Sequence, residues 1–146
     1  MPAKSATFCM SLADVLADVT MSGMLMRHPR LKFVLGESSL GWIPFVLERL
    51  DFECVNYSDR ADALPAMKPS EQFARNVYCT FQDEKIGVQH IPDIGIDNVM
   101  WAADYPHGDG TFPRSKEAVD RIFANSSDEI RAKATGETAS RLYRIS

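Results

Sequence analysis

Residues 97–107 read DNVMWAADYPH, and this stretch decides the fold prediction. The five apolar residues at 99–103 have the length and composition of a strand covered on both faces, as in a parallel sheet. The run ends abruptly at Asp104, and His107 follows three residues later. We therefore predict a buried strand over 99–103 with a carboxylate and an imidazole close behind it.

Two further short strands are predicted earlier in the chain. Residues 31–35 read LKFVL, and residues 77–81 read VYCTF, which is β-branched or aromatic at every position except Cys79. Segments with helical periodicity separate the three strands. Strands that alternate with helices predict βαβ units, right-handed crossovers and a parallel sheet, so the fold class is α/β.

The helices are predicted from apolar spacing and from capping signals. The first predicted helix starts at Ser11 and ends before Pro29. The other predicted starts are Ile43 with Pro44 in its first turn, Ser70 as a cap, Ile86, Ser115 as a cap, Ser126 as a cap paired with Glu129, and Ala139. Residues 51–69 are polar and lack a sustained period, so we expect an irregular excursion there that contains at most one helical turn. Arg49 and Asp51 are expected to form a local ion pair at a helix end.

Composition excludes several classes of partner. The chain of 146 residues has 16 Lys and Arg against 20 Asp and Glu, and it has no basic block to meet the phosphates of nucleic acid or of an anionic membrane. It contains no apolar run of the roughly 20 residues that span a bilayer and no signal-peptide pattern. Cys9, Cys54 and Cys79 form no C-x-x-C pair, which favours free thiols in a reducing cytoplasm. These observations predict a cytoplasmic protein whose partners include neither nucleic acid nor a membrane.

The candidate site residues follow from the predicted sheet, because ligands of such folds bind at the carboxyl ends of the strands. Asp104 could ligate a divalent ion and accept a proton from its bound water, and His107 could also bind a metal. The alternative is that Asp104 caps its own turn and His107 is a solvated loop residue. Glu37 follows the first strand at the same edge, where it could share a metal or a substrate, or be satisfied by loop amides. His28 and His90 are predicted to be structural, and no phosphate loop, nucleophile elbow, H-x-H or H-E-x-x-H motif is present.

Several strings in the chain together resemble a known family. They are RLKFVLGE at 30–37, GWIP at 41–44, LERLD at 47–51, PSE at 69–71, DNVMWAADYPH at 97–107 and ASRLY at 139–143. In this order they resemble the carboxy-terminal half of the amidohydrolase-related family, which includes metal-dependent hydrolases and decarboxylases of the aminocarboxymuconate-semialdehyde and aromatic-acid type. The resemblance covers nearly the whole chain after about Leu12.

The resemblance implies a (β/α)8 TIM barrel that holds a divalent metal, usually zinc. It implies that residues 1–146 are the carboxy-terminal part of such a domain, with the three strands as strands six to eight. Asp104 then matches the last-strand aspartate, a metal ligand and proton shuttle, and His107 is predicted to be catalytic. Glu37 is predicted to contact the substrate. Trp42, an aromatic residue near the presumed rim, is predicted to contact the substrate as well, with packing in the core as the alternative. Hydrolysis and decarboxylation both stay open, and so does a non-catalytic role as a binding or assembly module.

The resemblance implies further metal ligands after the first strand and after a middle strand of the barrel. This sequence lacks counterparts of the first four or five strands, and it lacks those ligands with them. A complete barrel takes about 250 residues, and a catalytic zinc site usually has three protein ligands. We therefore expect this chain alone to bind metal weakly and to turn over no substrate. Three strands of a barrel also leave two edges and an inner layer of side chains unpaired. We expect an incomplete gene product, or else pairing with a separate amino-terminal half or self-association.

Overall fold

The structure is a computed structural model that describes residues 2–57 and 64–145. The strands in these ranges are β1 (Phe33–Leu35), β2 (Val77–Phe81) and β3 (Val99–Trp101). The helices are α1 (Pro2–Thr7), α2 (Ser11–Met21), α3 (Met24–Arg27), α4 (Ile43–Asn56), α5 (Pro69–Asn76), α6 (Lys85–Gln89), α7 (Ile91–Ile94), α8 (Ser115–Ile122), α9 (Asp128–Ala132) and α10 (Thr138–Tyr143), with a 3-10 turn at Phe8–Met10 and a π-helix at Lys133–Glu137. None of the helices described is both long and apolar enough to cross a bilayer.

The three strands form one parallel sheet in the order β1-β2-β3, which confirms the predicted α/β alternation. Strand β2 has the predicted bounds, whereas β1 begins two residues later and β3 ends two residues earlier than predicted. The first difference arises because Leu31 is bonded outside the sheet. Its amide donates to the carbonyl of His28 at 2.9 Å, and its carbonyl accepts from the Nδ2 amide of Asn76 at 2.5 Å.

One face of the sheet carries the hydrophobic core. Val77, Cys79 and Phe81 alternate along β2 and are buried among apolar residues of the surrounding helices, such as Leu16 of α2 and Phe73 of α5. The intervening residues lie on the opposite face, where Tyr78, Thr80 and the neighbouring Val34 of β1 are only half-buried. The described helices therefore seal one side of the sheet more completely than the other.

Helix α4 extends through Asn56, so residues 51–56 contain more helix than the single turn that the prediction allowed. Tertiary contacts supply the stability that the local pattern lacks. The carboxylate of Asp51 accepts hydrogen bonds from the amide and the hydroxyl of Ser70, at 3.0 and 2.5 Å, and so ties α4 to α5. The expected Arg49–Asp51 ion pair is also wrong, because Arg49 pairs with Glu53 one turn further along the helix. Residues 58–63 of the predicted excursion lie outside the described ranges.

The predicted serine caps are displaced in the structure. Helix α5 begins at Pro69, which suits a first helical position because proline has no N–H to leave unpaired there. Ser115 is the first residue of α8, and its hydroxyl lies 3.0 Å from that of Thr111. Helix α9 is capped by Ser127 instead of Ser126, since the Ser127 hydroxyl accepts a hydrogen bond from the amide of Ile130.

Candidate metal centre

Three donor side chains meet at the carboxyl edge of the sheet. Glu37 follows β1, and Asp104 and His107 follow β3. One ligand atom from each of the three lies within 4.8 Å of the others. The structure thus brings together the residues that the strand-end argument selected.

The loop after β1 is bonded to the end of β2. The Glu37 amide donates to the hydroxyl of Thr80 at 2.8 Å, and the Ser38 amide donates to the Thr80 carbonyl at 3.0 Å. Glu37 and Ser39 both have φ of 53°, in the left-handed region that non-glycine residues usually avoid. The loop is thus held in an unusual backbone conformation.

The Glu37 carboxylate makes no hydrogen bond within the described residues. Two loop amides that could have satisfied it, those of Leu40 and Gly41, donate instead to the carboxylate of Glu84. The alternative in which loop amides satisfy Glu37 is therefore not what the structure shows. The exposed Glu37 carboxylate remains available to a ligand.

The loop after β3 is a tight turn that carries the other two donors. Asp104 has φ of 56°, and its carbonyl accepts from the amide of His107 at 2.9 Å. A side chain at Gly110 would place its Cβ 2.7 Å from the carbonyl oxygen of Ala103, so the turn requires glycine there. Nδ1 of His107 lies 3.3 Å from Oδ1 of Asp104, whose side chain is 12% exposed against 61% for the histidine. The aspartate thus lies deeper in the site and the imidazole on its solvent side.

The donors line a cavity of about 350 Å³. Three further carboxylates lie on its wall: Asp83, Glu84 and Asp109. Asp83 is paired with Arg121, and Glu84 is bonded to the loop amides. Residues Ala6, Phe8 and Cys9 of the amino-terminal segment also line it. The excess of negative charge favours a cation in this cavity.

The donor set fits a divalent metal ion. Two carboxylates and an imidazole are ligands that zinc and manganese both accept, and three protein ligands are usual in catalytic metal sites. The Glu37 carboxylate has no competing partner in the described ranges, and the Asp104 carboxylate has only His107. This set does not distinguish zinc from manganese.

Trp42 lies behind the loop and away from the cavity. Its side chain belongs to the hydrophobic core and is 8% exposed, and its indole N–H donates to the carbonyl of Ser38 at 2.6 Å. This placement argues against the predicted substrate contact, because the ring is buried and its one donor is used. The tryptophan instead supports the loop that carries Glu37.

The two other candidate histidines, His28 and His90, lie away from the three donors. His28 borders a separate surface depression beside Arg27, Arg30 and Arg144, at the amino end of β1. The imidazole of His90 lies 3.0 Å from the carboxylate of Asp93. Neither histidine lines the cavity of the three donors.

Two contributors to the site escaped the sequence argument. Thr80 and Glu84 hold the Glu37 loop, although neither was singled out. The signal was present for Glu84, because it stands just after a strand, as Glu37 and Asp104 do. At the rim, the rings of Tyr105 and Phe112 pack edge to face with centroids 4.9 Å apart, and both side chains are exposed.

The chain is similar to known proteins in sequence and in fold. A family model described as amidohydrolase matches residues 7–145. No sequence among the curated proteins matches the chain. Among solved structures, 5-carboxyvanillate decarboxylase LigW from Sphingomonas paucimobilis is 32% identical with a TM-score of 0.75, over 89% of this chain and 38% of that chain.

Two further structures share the fold at lower identity. Amidohydrolase map2389c from Mycobacterium avium subsp. paratuberculosis K-10 is 23% identical with a TM-score of 0.77, over 92% of this chain and 33% of that chain. A dihydroxybenzoic acid decarboxylase from Polaromonas sp. JS666, with bound manganese and the inhibitor 2-nitroresorcinol, is 20% identical with a TM-score of 0.76, over 94% and 41%. These neighbours are TIM barrels, so the three-stranded sheet is part of such a barrel, as predicted. The chain spans only about two fifths of their length or less.

Proposed function

This chain belongs to the amidohydrolase family, and on that premise we propose that it is part of a metal-dependent enzyme that acts on a small organic molecule. Asp104 is the metal ligand that also accepts and returns a proton, with Glu37 and His107 as the neighbouring donors. The observation that carries the proposal is the convergence of these three side chains at the carboxyl edge of the sheet.

Loss of a carboxylate is the reaction we favour over hydrolysis. The support is the 32% identity to a carboxyvanillate decarboxylase over 89% of this chain. In such a reaction the bond between the ring carbon and the carboxylate breaks, carbon dioxide leaves, and the electron pair stays on the ring carbon, which takes up one proton. A bound metal would supply positive charge to hold the substrate carboxylate and a neighbouring oxygen.

The residues of this chain would handle the proton. The Asp104 carboxylate is nearly buried, and its Oδ1 lies 3.3 Å from Nδ1 of the His107 imidazole. His107 is well exposed and lies on the solvent side of Asp104. We propose that Asp104 gives the proton to the reacting carbon and that His107 stays beside it as a metal ligand. The exposed aromatic pair at the rim, Tyr105 and Phe112, would suit an aromatic substrate.

The wider assignments belong to the same proposal. The substrate is a small molecule, and the free state of Cys9, Cys54 and Cys79 supports a reducing cytoplasm. We also propose that the chain needs a further barrel segment or self-association, because the helices cover one face of the sheet less completely than the other. Because of that need, metal binding is a more direct test of this chain than turnover.

The test is a titration of the metal-free chain with Mn²⁺, with free ion measured by electron paramagnetic resonance. We expect weak but saturable binding of one ion, weakened by a further 10-fold or more in Asp104→Asn, because a lost ligand costs at least as much as a lost supporting group. Asp109→Asn is the matched control, since it removes a carboxylate from the same cavity outside the three-donor group. Equal affinity in the wild type and in Asp104→Asn would contradict the proposal.

A second arm separates the two reactions. Addition of 2-nitroresorcinol, the inhibitor in the Polaromonas structure, should change the resonance of the bound Mn²⁺ if the site takes dihydroxylated aromatic acids. An effect from a simple amide or ester, with none from 2-nitroresorcinol, would favour hydrolysis. Absence of saturable Mn²⁺ and Zn²⁺ binding would favour the binding or assembly module.

A further inference from the structure

Glu84 accepts two hydrogen bonds from the loop that carries Glu37. Its Oε2 accepts a hydrogen bond from the Leu40 amide, and its Oε1 accepts one from the Gly41 amide, each at 2.7 Å. Both oxygens of one carboxylate are thus used on two consecutive amides. Hydrogen bonds to an ionised acceptor are stronger than those between neutral groups, so these two bonds hold the loop firmly.

Two glycines allow the loop and the start of α6 to approach this closely. A Cβ on Gly87 would lie 2.6 Å from the Cβ of Leu40 and 2.7 Å from the Cδ of Glu84. A Cβ on Gly41 would lie 3.0 Å from Oε1 of Glu84. Glycine at both positions therefore permits the close contact between the loop and the start of α6.

The backbone of the loop that Glu84 holds is also strained. Glu37 and Ser39 both have φ of 53°, a conformation that costs energy in residues other than glycine and persists only where surrounding contacts impose it. Thr80 fixes the start of the loop through the Glu37 and Ser38 amides, and Glu84 fixes its end. Without the hydrogen bonds to Glu84, the backbone of the loop would be free to leave this conformation.

We propose that Glu84 is a positioning residue that holds the loop in the conformation placing the Glu37 carboxylate beside Asp104 and His107. This inference rests on the proposed function, because it assigns Glu84 a role in the metal site. Two other roles are to be distinguished from it. Glu84 lines the cavity and could act by its charge alone, or it could stabilise the fold without affecting the donors.

The variant for the test is Glu84→Gln, which keeps the size of the side chain but presents an NH2 group to one of the two amides. Asp109→Asn is the control for charge, because it removes one carboxylate from the same cavity without touching the loop. Mn²⁺ affinity should fall by about 10-fold or more in Glu84→Gln, as for groups that orient metal ligands, and much less in Asp109→Asn. Equal losses in the two variants would overturn the proposal in favour of charge.

A double-mutant cycle tests whether Glu84 acts through Glu37. In a Glu37→Gln background, Glu84→Gln should cause little further loss of Mn²⁺ affinity, because the group it positions is already gone. The same loss in both backgrounds would overturn the proposal. So would a lower melting temperature in Glu84→Gln with unchanged Mn²⁺ affinity of the folded chain.

Amide hydrogen exchange provides a readout that needs no metal. The Leu40 and Gly41 amides should exchange faster in Glu84→Gln than in the wild type, and Asp109→Asn should leave them unchanged. Unchanged exchange in Glu84→Gln overturns the inference whatever the metal data show. If the wild-type chain binds no Mn²⁺, the proposed function fails and the role toward the metal fails with it, while the exchange rates still decide whether Glu84 fixes the loop.

Discussion

The three cysteine thiols illustrate how the surroundings of a single residue set its chemistry. Burial, and secondarily the charge of Glu84, raises the pKa of the Cys79 thiol far above its usual range. Burial and the nearby Asp51 also raise the pKa of Cys54. Because the thiolate is the reactive form, the two thiols should be slow nucleophiles.

We predict an order of labelling by iodoacetamide at pH 8 in the folded chain. Half-buried Cys9 should react first, Cys54 more slowly, and Cys79 only after unfolding. Mass spectrometry of the tryptic peptides measures the three rates. Labelling of Cys79 as fast as Cys9 in the folded chain would show that the β2 core opens readily.

Gly87 allows the close contact between α6 and the Glu37 loop, so its replacement should be felt in stability. Gly87→Ala would put a methyl group 2.6 Å from the Cβ of Leu40, and overpacking of this kind typically costs about 1–3 kcal/mol. Urea denaturation followed by circular dichroism measures the loss. Gly136→Ala is the control, because nothing lies within 4 Å of its added Cβ, and it should not destabilise the chain. Equal stability of the two variants would contradict the contact.

At single positions the sequence predicted the donors better than their supports. Asp104 and Glu37 were found because both follow strands whose carboxyl ends share one edge. Glu84 was missed because its two bonds join segments more than 40 residues apart. Trp42 was assigned to substrate because an aromatic ring near a rim suits a ligand or the core equally well, and only its 8% exposure separates the two.

Among the elements, the carboxy-terminal helices are attached to the sheet through Asp97. This carboxylate precedes β3 and pairs with Lys133 of the π-helix at 3.2 Å and Arg141 of α10 at 3.0 Å. The hydrogen bond from Lys133, followed by that from Arg141, lowers the pKa of Asp97 against the opposing effect of burial. A lowered pKa in the folded state contributes stability above the ordinary value of the group, and that stability is lost as the pH falls through the folded value.

We therefore predict that Asp97→Asn reduces the loss of stability on acidification below about pH 4, the usual pKa of aspartate. The difference should be under about 1 kcal/mol, because these exposed pairs are screened by solvent. Urea midpoints at pH 7, 4 and 3 in low salt measure it. Asp109→Asn, whose carboxylate has no ion pair in the described ranges, should keep the wild-type acid profile. Identical profiles for the wild type and Asp97→Asn would contradict the prediction.

Element boundaries were harder to predict than element types. The first predicted helix is divided at Gly23, whose φ of 71° ends α2 and starts α3. Helix α4 gains its last turns from the Asp51–Ser70 bonds. In both cases the local pattern predicted that a helix forms but not where it ends. The end is set by the backbone conformation of Gly23 in the first case and by the hydrogen bonds to Ser70 in the second.

For the molecule as a whole, the open sheet face is the most consequential surface. Val34 and Tyr78 are half-buried there, and β1 and β3 each pair only with β2 in the described ranges. Unpaired strand edges beside an apolar face favour association. We predict that the mass of the chain in solution rises with concentration, measured by light scattering after size-exclusion chromatography.

A substitution locates that association. Val34→Lys should shift the chain toward monomer, because it places a charge on the open face. Phe45→Lys, on the outer surface of α4 where Phe45 is 68% exposed, should leave the association unchanged. A wild-type chain that is monomeric at every concentration would show that the described elements suffice to cover the face.

The incomplete barrel was predictable from length and motif together, but from neither alone. A chain of 146 residues suits an ordinary domain. The strings shared with the family, of which GWIP and DYPH are the most specific, suggested a barrel of about 250 residues. The structure of the sheet, with three strands and helices sealing one face, is a long-range property that no local pattern contains.

The left-handed backbones of Glu37 and Asp104 have a consequence for how this gene can change. Glycine would fit either position at lower conformational cost, by roughly 1 kcal/mol each. A lineage selected only for a stable fold would drift toward glycine at both sites. Carboxylates that survive there across diverging copies of the gene would mark selection on what those side chains do, and their replacement by glycine would date the moment when that selection ceased.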